Sequence, residues 1–196
     1  MGKGLLIIVS APAGCGKDTV IEKLISGCSD IYYSVSATTR PMRKGELDGK
    51  SYYFISHGRF KEMIDSNDLL EYAEYVGNYY GTPKSPVLEN MSAGKDVVLK
   101  IEVEGAKNVK NLFSDCVLIF LLPPSFQELE RRLRLRGTED EFAIASRILK
   151  AREEIKEVYG YDYAVVNDDL ETAVDEIKSI IKAEKLSVKR GVKSIE

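Results

Sequence analysis

The chain has 196 residues, a formal net charge of -3 at pH 7 and 44% hydrophobic residues. This length and composition suit one core domain with inserted lobes, and the charge gives no support for a nucleic-acid-binding surface. No apolar run is long enough to span a bilayer. Cys15, Cys28 and Cys116 follow no metal-ligand spacing, and no signal-peptide layout precedes the first strand, so we expect a cytoplasmic protein.

The first strong pattern is a strand, a loop of small residues and a helix. Leu5 to Ser10 is an apolar run rich in β-branched residues, and a helical pattern from about Thr19 ends near Gly27. The loop between them reads Ala11-Pro12-Ala13-Gly14-Cys15-Gly16-Lys17-Asp18-Thr19. Such a loop can wrap backbone N–H groups around a phosphate chain while its lysine reaches the β and γ phosphates.

The match to the phosphate-loop pattern G-x-x-x-x-G-K-[ST] is incomplete. Ala11 stands where the pattern has glycine, and Asp18 stands where it has a hydroxyl. A strand-to-helix turn that binds nothing is therefore the alternative, although the flanking strand and helix favour phosphate binding.

The region from Tyr32 to Tyr80 differs in composition, because eight of the 11 tyrosines lie there. Tyrosine suits a surface that is half packed and half facing a polar ligand, but it is also a good strand former. The predicted elements here are a strand at Tyr32 to Ser36, a long polar loop to Gly49, a strand at Lys50 to Ile55, a helix at Arg59 to Ile64, and strands at Leu69 to Val76 and Asn78 to Gly81.

After Pro83 the strand and helix periods alternate. The predicted elements are a helix to about Ala93, a strand at Asp96 to Glu102, a helix at Gly105 to Phe113, a strand at Cys116 to Leu122, helices at about Gln127 to Arg136 and Glu141 to Val158, a strand at Tyr163 to Val166, and a helix from Leu170 to about Leu186. Ser125 is placed to cap the helix that follows it, with Glu128 at capping-box spacing. This alternation predicts an α/β fold with a parallel sheet covered by helices, and ligands at the carboxyl ends of its strands.

Arginines form two clusters that indicate a polyanionic ligand. Arg40 and Arg43 lie in the long loop, and the second cluster comprises Arg131, Arg132, Arg134, Arg136 and Arg147. Arginine suits phosphoryl transfer because its planar fork stabilises charge on the transferred group. For the second cluster the alternative is a solvated helix face, neutralised by Glu128, Glu130 and Glu141.

Four segments, in this order along the chain, carry a family resemblance: Ser34 to Glu46 (SVSATTRPMRKGE), Asp48 to Phe54 (DGKSYYF), Gly77 to Thr82 (GNYYGT) and Val166 to Leu170 (VNDDL). They resemble guanylate kinases, and the similarity extends from about Gly4 to Leu186. The resemblance implies a phosphate-loop (P-loop) nucleoside triphosphate hydrolase-like core at 1–35, 84–126 and 151–196. It also implies a GMP-binding lobe at 36–83 and a helical lid at 127–150.

The resemblance implies an ATP:GMP phosphotransferase of purine nucleotide metabolism, which uses Mg²⁺ with ATP and gives ADP and GDP. The residues implied to bind GMP are Ser36, Arg40, Arg43, Tyr52 and Tyr80 at its phosphate, and Glu71, Thr82 and Glu102 at guanine. ATP is implied to lie on Ala11 to Thr19, with its adenine near Arg136 and Asn167. The implied catalytic residues are Lys17, Arg40, Arg132, Arg136 and Arg147, and Asp18 is the candidate Mg²⁺ ligand.

Two positions depart from the family pattern. Asp18 stands where a hydroxyl is usual, and Lys100 stands where an acidic residue is usual. We predict that the two are coupled, as an ion pair that opens so that Asp18 binds Mg²⁺ and Lys100 turns toward phosphate. The alternative is a metal held by ATP alone, with slower catalysis. We also expect a lowered pKa and high reactivity for Cys15, which lies near a helix N-terminus and Lys17, unless it is simply a small tolerated residue.

Three other interpretations stay open on the sequence. They are a catalytically silent module that binds protein, a related phosphate-loop kinase with another small acceptor, and a protein that binds GMP without turnover. Retention of Gly16, Lys17 and the implied GMP residues argues against the first. The oligomeric state stays open as well.

Overall fold

The computed structural model describes residues 3–75, 77–135 and 140–190. The chain forms two compact units, one of Met1–Ile7 with Asp30–Cys116 and one of Ile8–Ser29 with Val117–Glu196. The strands are β1 (Leu6–Ser10), β2 (Ile31–Tyr33), β3 (Ala37–Thr38), β4 (Tyr53–Phe54), β5 (Leu69–Tyr75), β6 (Asn78–Pro83), β7 (Asp96–Lys100), β8 (Val117–Leu122) and β9 (Tyr163–Val166). The helices are α1 (Lys17–Ser26), α2 (His57–Asp65), α3 (Lys84–Ser92), α4 (Val103–Leu112), α5 (Phe126–Leu135), α6 (Glu141–Lys156) and α7 (Leu170–Leu186). No helix within the described ranges is long and apolar enough to cross a membrane.

The first unit contains parallel strands and a smaller, mostly antiparallel sheet. Strand β2 pairs in parallel with β7, which also adjoins β1. The smaller sheet has the order β4-β3-β6-β5, and β5 and β6 form a hairpin. Phe60 of α2 is fully buried against Ala37 and Leu69, with the ring of Tyr79 stacked on it at 5.3 Å between centroids. This separate core holds the smaller sheet together.

The second unit contains the end of β1 beside β8, and β8 pairs in parallel with β9. The residues of β8 from Val117 to Leu121 are all buried, as expected for a parallel strand covered on both faces. Helix α1 packs on α7, and α5 packs on α6. The predicted α/β class is therefore confirmed, and the predicted strands and helices occur in the predicted order with one addition, β3, which lies within the stretch predicted as a polar loop.

Several predicted boundaries differ from the structure. The strand predicted at Tyr32 to Ser36 spans Ile31–Tyr33, and the strand predicted at Asp96 to Glu102 ends at Lys100. Two further differences have identifiable reasons. The strand predicted at Lys50 to Ile55 contains only Tyr53 and Phe54, because the N–H groups of Lys50 and Ser51 donate to the Leu47 carbonyl in a turn. Helix α1 begins at Lys17 rather than near Thr19, because Gly16 takes the left-handed conformation and acts as the N-cap.

Candidate active site

The loop between β1 and α1 combines two left-handed glycines with the start of a helix. Gly14 has φ 95° and Gly16 has φ 82°, which glycine adopts at little cost. Lys17 and Asp18 are the first two residues of α1. The first N–H groups of an α-helix lack partners within the helix, and the helix dipole there favours an anion.

Two neighbouring elements of the second unit determine the shape of this loop. A Cβ at Gly14 would lie 2.9 Å from methyl carbons of Leu129 and Leu133, which are buried side chains of α5. A Cβ at Gly16 would lie 2.7 Å from Nδ2 of Asn167, which follows β9. The Asn167 amide itself donates to the Cys15 carbonyl oxygen at 2.7 Å. The loop is therefore held by packing against α5 and by the Asn167 amide.

Arg132 extends this hydrogen-bonded set. Its Nη1 donates to the Asn167 carbonyl oxygen at 3.0 Å, and its Nε donates to Glu128 at 2.8 Å. Arg131 also binds Glu128, and these hydrogen bonds from Arg131 and Arg132 lower the pKa of Glu128 to about 2. Arg134 pairs with Glu130 and Glu141 at exposed positions. The solvated-face alternative therefore describes Arg131 and Arg134, whereas Arg132 reaches a residue that supports the loop.

Cys15 does not have the predicted environment. Its side chain is fully buried, and burial raises the pKa of its thiol to about 12, although the positive charges of Lys17 and Arg132 act in the opposite direction. The expectation of a lowered pKa was wrong, because desolvation of the thiolate outweighs the nearby charges. The alternative, a small residue tolerated within the loop, fits the structure.

The remaining residues predicted on the ATP side differ in exposure. Ala11 and Pro12 are buried, Lys17 is half-buried, and Ala13, Asp18 and Thr19 are exposed. Arg147 lies half-buried on α6. Arg136 lies outside the described residues.

The described ranges hold no group of three or more His, Cys, Asp or Glu side chains that could bind a metal. The usual Mg²⁺ site of a kinase takes one or two carboxylates and fills its remaining positions with phosphate oxygens and water. The exposed carboxylate of Asp18, at the first turn of α1, has the donor chemistry for such a site.

The first unit contains the second cluster of predicted site residues, and an ion pair organises it. Arg40 donates from Nη2 and Nη1 to the two carboxylate oxygens of Glu46, at 2.8 and 3.0 Å. Glu46 also accepts from the backbone N–H of Arg43 at 2.7 Å. Hydrogen bonding to Arg40 lowers the pKa of Glu46, and the same pair raises the pKa of Arg40. The polar loop is therefore organised around the ion pair of Arg40 and Glu46.

Sequence reasoning did not name Glu46 as a site residue. The available signal was an acidic residue six positions after an arginine within one loop, where opposite charges can meet once the loop folds back. The guanidinium fork matches a carboxylate as well as a phosphate, so the same arginine can be held in place by one and bind the other.

Aromatic rings extend this cluster. The Tyr52 ring lies 5.5 Å from Cζ of Arg40 and meets the Tyr80 ring edge-on at 5.9 Å between centroids. Nζ of Lys100 lies 5.3 Å from the centroid of the same Tyr52 ring. Ser36 is buried, and its backbone carbonyl oxygen accepts from the N–H of Tyr53 at 2.9 Å, whereas Arg43 is exposed. The structure thus brings Arg40, Tyr52 and Tyr80 together and adds Lys100 to them.

Glu71 and Thr82 form a buried pair on neighbouring strands. They lie opposite each other in β5 and β6, and the Thr82 hydroxyl donates to Oε1 of Glu71 at 2.6 Å. Leu69 pairs with Pro83, so β5 carries one extra residue just before Glu71, and such a bulge re-aims the next side chain. Burial raises the pKa of Glu71, although the hydrogen bonds from Thr82 oppose this shift.

The other oxygen of Glu71 lies against the start of α4. A Cβ at Gly105, in the first turn of that helix, would lie 2.7 Å from Oε2 of Glu71. Glu102 is the exposed N-cap residue of the same helix. The carboxylate therefore fits here because residue 105 has no side chain, a requirement that sequence reasoning did not identify.

Comparison with known proteins gives consistent matches over nearly the whole chain. The guanylate kinase family model matches residues 3–184. The guanylate kinase of Lactobacillus acidophilus is 53% identical over 191 residues, which cover 97% of this chain and 94% of that protein. The guanylate kinase of Halalkalibacterium halodurans is 54% identical over 182 residues, which cover 93% of this chain and 89% of that protein.

Solved structures extend these matches. The crystal structure of guanylate kinase from Anaplasma phagocytophilum matches with a TM-score of 0.82 and 34% identity, covering 97% of this chain and 90% of that one. Shikimate kinase from Bacteroides thetaiotaomicron matches with a TM-score of 0.51 and 16% identity, covering 91% of this chain and 98% of that one. At that identity the second match indicates a shared fold alone.

Proposed function

This chain belongs to the guanylate kinase family, and we propose that its two clusters of site residues hold the two nucleotides of that family's reaction. The chain is an ATP:GMP phosphotransferase, which transfers the γ-phosphoryl group of ATP to GMP and gives ADP and GDP. The family, the α/β phosphate-loop kinase fold and the reaction predicted from the resemblance are confirmed. The assignment of residues to substrates is the proposal.

On the ATP side, we assign the phosphate chain to the backbone of Ala11 to Thr19 and the side chain of Lys17. The left-handed glycines and the start of α1 support this assignment, since both favour a bound anion. Asn167 supports the loop through its hydrogen bond to Cys15, and Arg132 binds Asn167 in turn. Contacts of Arg136 and Asn167 with adenine stay predictions.

On the GMP side, the observation that carries the proposal is the buried pair of Glu71 and Thr82. Its geometry leaves Oε2 of Glu71 against Gly105 while Thr82 binds Oε1. A carboxylate here can accept hydrogen bonds from N1–H and N2–H₂ of guanine, whereas adenine offers an acceptor at N1. We place Glu102 beside this pair.

The GMP phosphate is assigned to a separate set of residues. They are Ser36, Arg40, Arg43, Tyr52 and Tyr80. The ion pair with Glu46 holds the guanidinium of Arg40 beside Tyr52, and two arginines with several hydroxyls match a phosphomonoester in charge and donor number.

In-line phosphoryl transfer needs positioning, charge neutralisation and exclusion of water more than it needs an acid or a base. We assign neutralisation of the transferred group to Lys17, Arg40, Arg132, Arg136 and Arg147. Bound Mg²⁺ supplies further positive charge at the ATP phosphates, and Asp18 is the residue that would hold it. Closure of a lid at 127–150 over a core with a GMP lobe at 36–83 would exclude water.

The chemistry also implies a cellular setting. We place the reaction in purine nucleotide metabolism in the cytoplasm, with ATP and GMP as small-molecule partners. The oligomeric state stays open.

A coupled assay tests this proposal. We expect ADP production from ATP and Mg²⁺ with GMP and little with AMP or UMP, and the same assay measures whether dGMP is accepted. Preference for AMP or UMP would indicate a kinase with another acceptor. GMP binding without turnover would indicate a disabled site, and absence of nucleotide binding would indicate a protein-binding module. Adding EDTA should stop the reaction if Mg²⁺ is required.

A further inference from the structure

Lys100 ends β7 and lies beside the proposed site for the GMP phosphate. Its Nζ is 5.3 Å from the centroid of the Tyr52 ring, and Cζ of Arg40 is 5.5 Å from the same centroid. Building on the proposed function, we propose that Lys100 is a further phosphate-binding residue of the acceptor site, specific for a phosphomonoester.

The charges around Tyr52 carry this inference. Two cations lie against a single ring, and Glu46 binds Arg40 with both of its carboxylate oxygens. Lys100 adds a compact charge with three donors, which suits a phosphate oxygen. A phosphomonoester carries a charge between about -1.5 and -2 at pH 7, so a site built for it benefits from a second cation beside Arg40.

Lys100 and Glu102 lie two residues apart, at positions less buried than their neighbours. Leu99 and Ile101 are buried on either side of Lys100, whereas Lys100 is half-buried and Glu102 is exposed. Glu102 is the residue that we place beside the guanine-binding pair. The contact of Lys100 with Tyr52 is what links it to the acceptor residues, independently of the coupling to Asp18 that the sequence predicts.

The test separates a phosphate contact from mere packing against Tyr52. Lys100→Met removes the ammonium group and keeps most of the stem. Dissociation constants for GMP and for guanosine, which lacks the phosphate, are measured by calorimetry on wild type and variant. We expect GMP binding to weaken about 10- to 100-fold, as for loss of a charged hydrogen bond, and guanosine binding to stay unchanged. Lys100→Arg should retain most of the GMP affinity.

The matched control is Lys61→Met, which removes an exposed lysine from α2 in the same unit and should change neither constant. Equal losses for GMP and guanosine, or unchanged GMP binding, would overturn the inference. Should Lys100→Met fail to fold, Lys100→Gln gives the same comparison. These binding measurements need no turnover, so their failure is distinct from a failure of wild type to phosphorylate GMP.

Discussion

The loop of the second unit and the acceptor cluster of the first unit are both assigned to phosphate, yet they are built in different ways. The loop obtains its shape from backbone and packing, with two left-handed glycines pressed against α5 and Asn167. The acceptor cluster obtains its shape from charge, because Glu46 holds Arg40, whose Cζ lies 5.5 and 5.7 Å from the ring centroids of Tyr52 and Phe54.

If both assignments hold, the two clusters represent two ways to shape an anion site. Where backbone N–H groups bind the phosphate, the backbone must be kept in one conformation. A substitution that adds side-chain volume should therefore weaken binding most. Where side chains bind the phosphate, their orientation must be kept by neighbouring charges. A substitution that removes a charge should therefore weaken binding most. Substitutions at the two clusters should therefore differ in kind and in size.

Gly16→Ala should be the most damaging of these changes. The new Cβ would meet Nδ2 of Asn167 at 2.7 Å, in a left-handed conformation that alanine disfavours. We expect the free energy of unfolding to fall by about 2–4 kcal/mol, from backbone strain plus loss of the Asn167–Cys15 hydrogen bond. Urea denaturation measures this loss, and the KM for ATP should rise with it.

Gly45→Ala is the matched control for Gly16→Ala. Gly45 has φ 89°, but a Cβ there would meet nothing within 4 Å. Gly45→Ala should therefore lower the free energy of unfolding by about 1–2 kcal/mol, from backbone strain alone. If both variants lose the same amount, packing against Asn167 does not determine the loop.

Glu71→Gln should reduce the preference for GMP over AMP by one to two decades in kcat/KM. This range corresponds to the free energy lost with a charged hydrogen-bond pair, about 1.5–3 kcal/mol. Steady-state kinetics with both acceptors measures it. An unchanged kcat/KM for GMP would contradict the placement of Glu71 at guanine.

The same variant should also show a pH-dependent change in stability. Burial raises the pKa of Glu71 in the folded protein above its ordinary 4.5. Such a group contributes stability that is fully present below the unfolded pKa and is lost as pH rises through the folded pKa. The Tm of Glu71→Gln relative to wild type should therefore increase as pH rises from 4 to 8. A difference that shrinks over this range would contradict the raised pKa.

Glu46→Gln should release the fork of Arg40 and raise the KM for GMP about fivefold, which corresponds to about 1 kcal/mol for one partly exposed ion pair. The side chains of Arg40 and Glu46 are 11% and 21% exposed, so solvent screens them less than most surface pairs. Glu62→Gln is the control, because it breaks the exposed ion pair of Arg59 and Glu62 in the same unit. Equal effects of the two variants on KM would show that Glu46 does not position Arg40.

Cys15 should show little reaction with thiol reagents. With a buried thiol whose pKa is raised to about 12, we expect it to react with maleimide more slowly than the half-buried Cys28, and MgATP should make no difference. Mass spectrometry after timed labelling measures the labelling rates of Cys15, Cys28 and Cys116. Labelling in urea gives the rate of each thiol in the unfolded chain. Rapid labelling of Cys15 that MgATP blocks would instead support a lowered pKa for this thiol.

Local patterns in the sequence were sufficient to predict most of the secondary structure and the family. Apart from the two-residue strand β3, the order of strands and helices followed from hydrophobic periods, which reflect the geometry of each element and need no knowledge of its neighbours. Strand β9 was predicted with its observed bounds, Tyr163–Val166. The family and its reaction followed from four short segments, because residues that recognise one substrate are confined to few positions.

Contacts between distant parts of the chain required the tertiary structure. The hydrogen bond from Asn167 to Cys15 joins residues 152 positions apart, and no periodic pattern encodes such a pair. Burial of Cys15 reversed the predicted direction of its pKa, because desolvation depends on the atoms that surround the thiol rather than on its sequence neighbours. The fit of Glu71 against Gly105 and the place of Lys100 beside Tyr52 were likewise decided by packing.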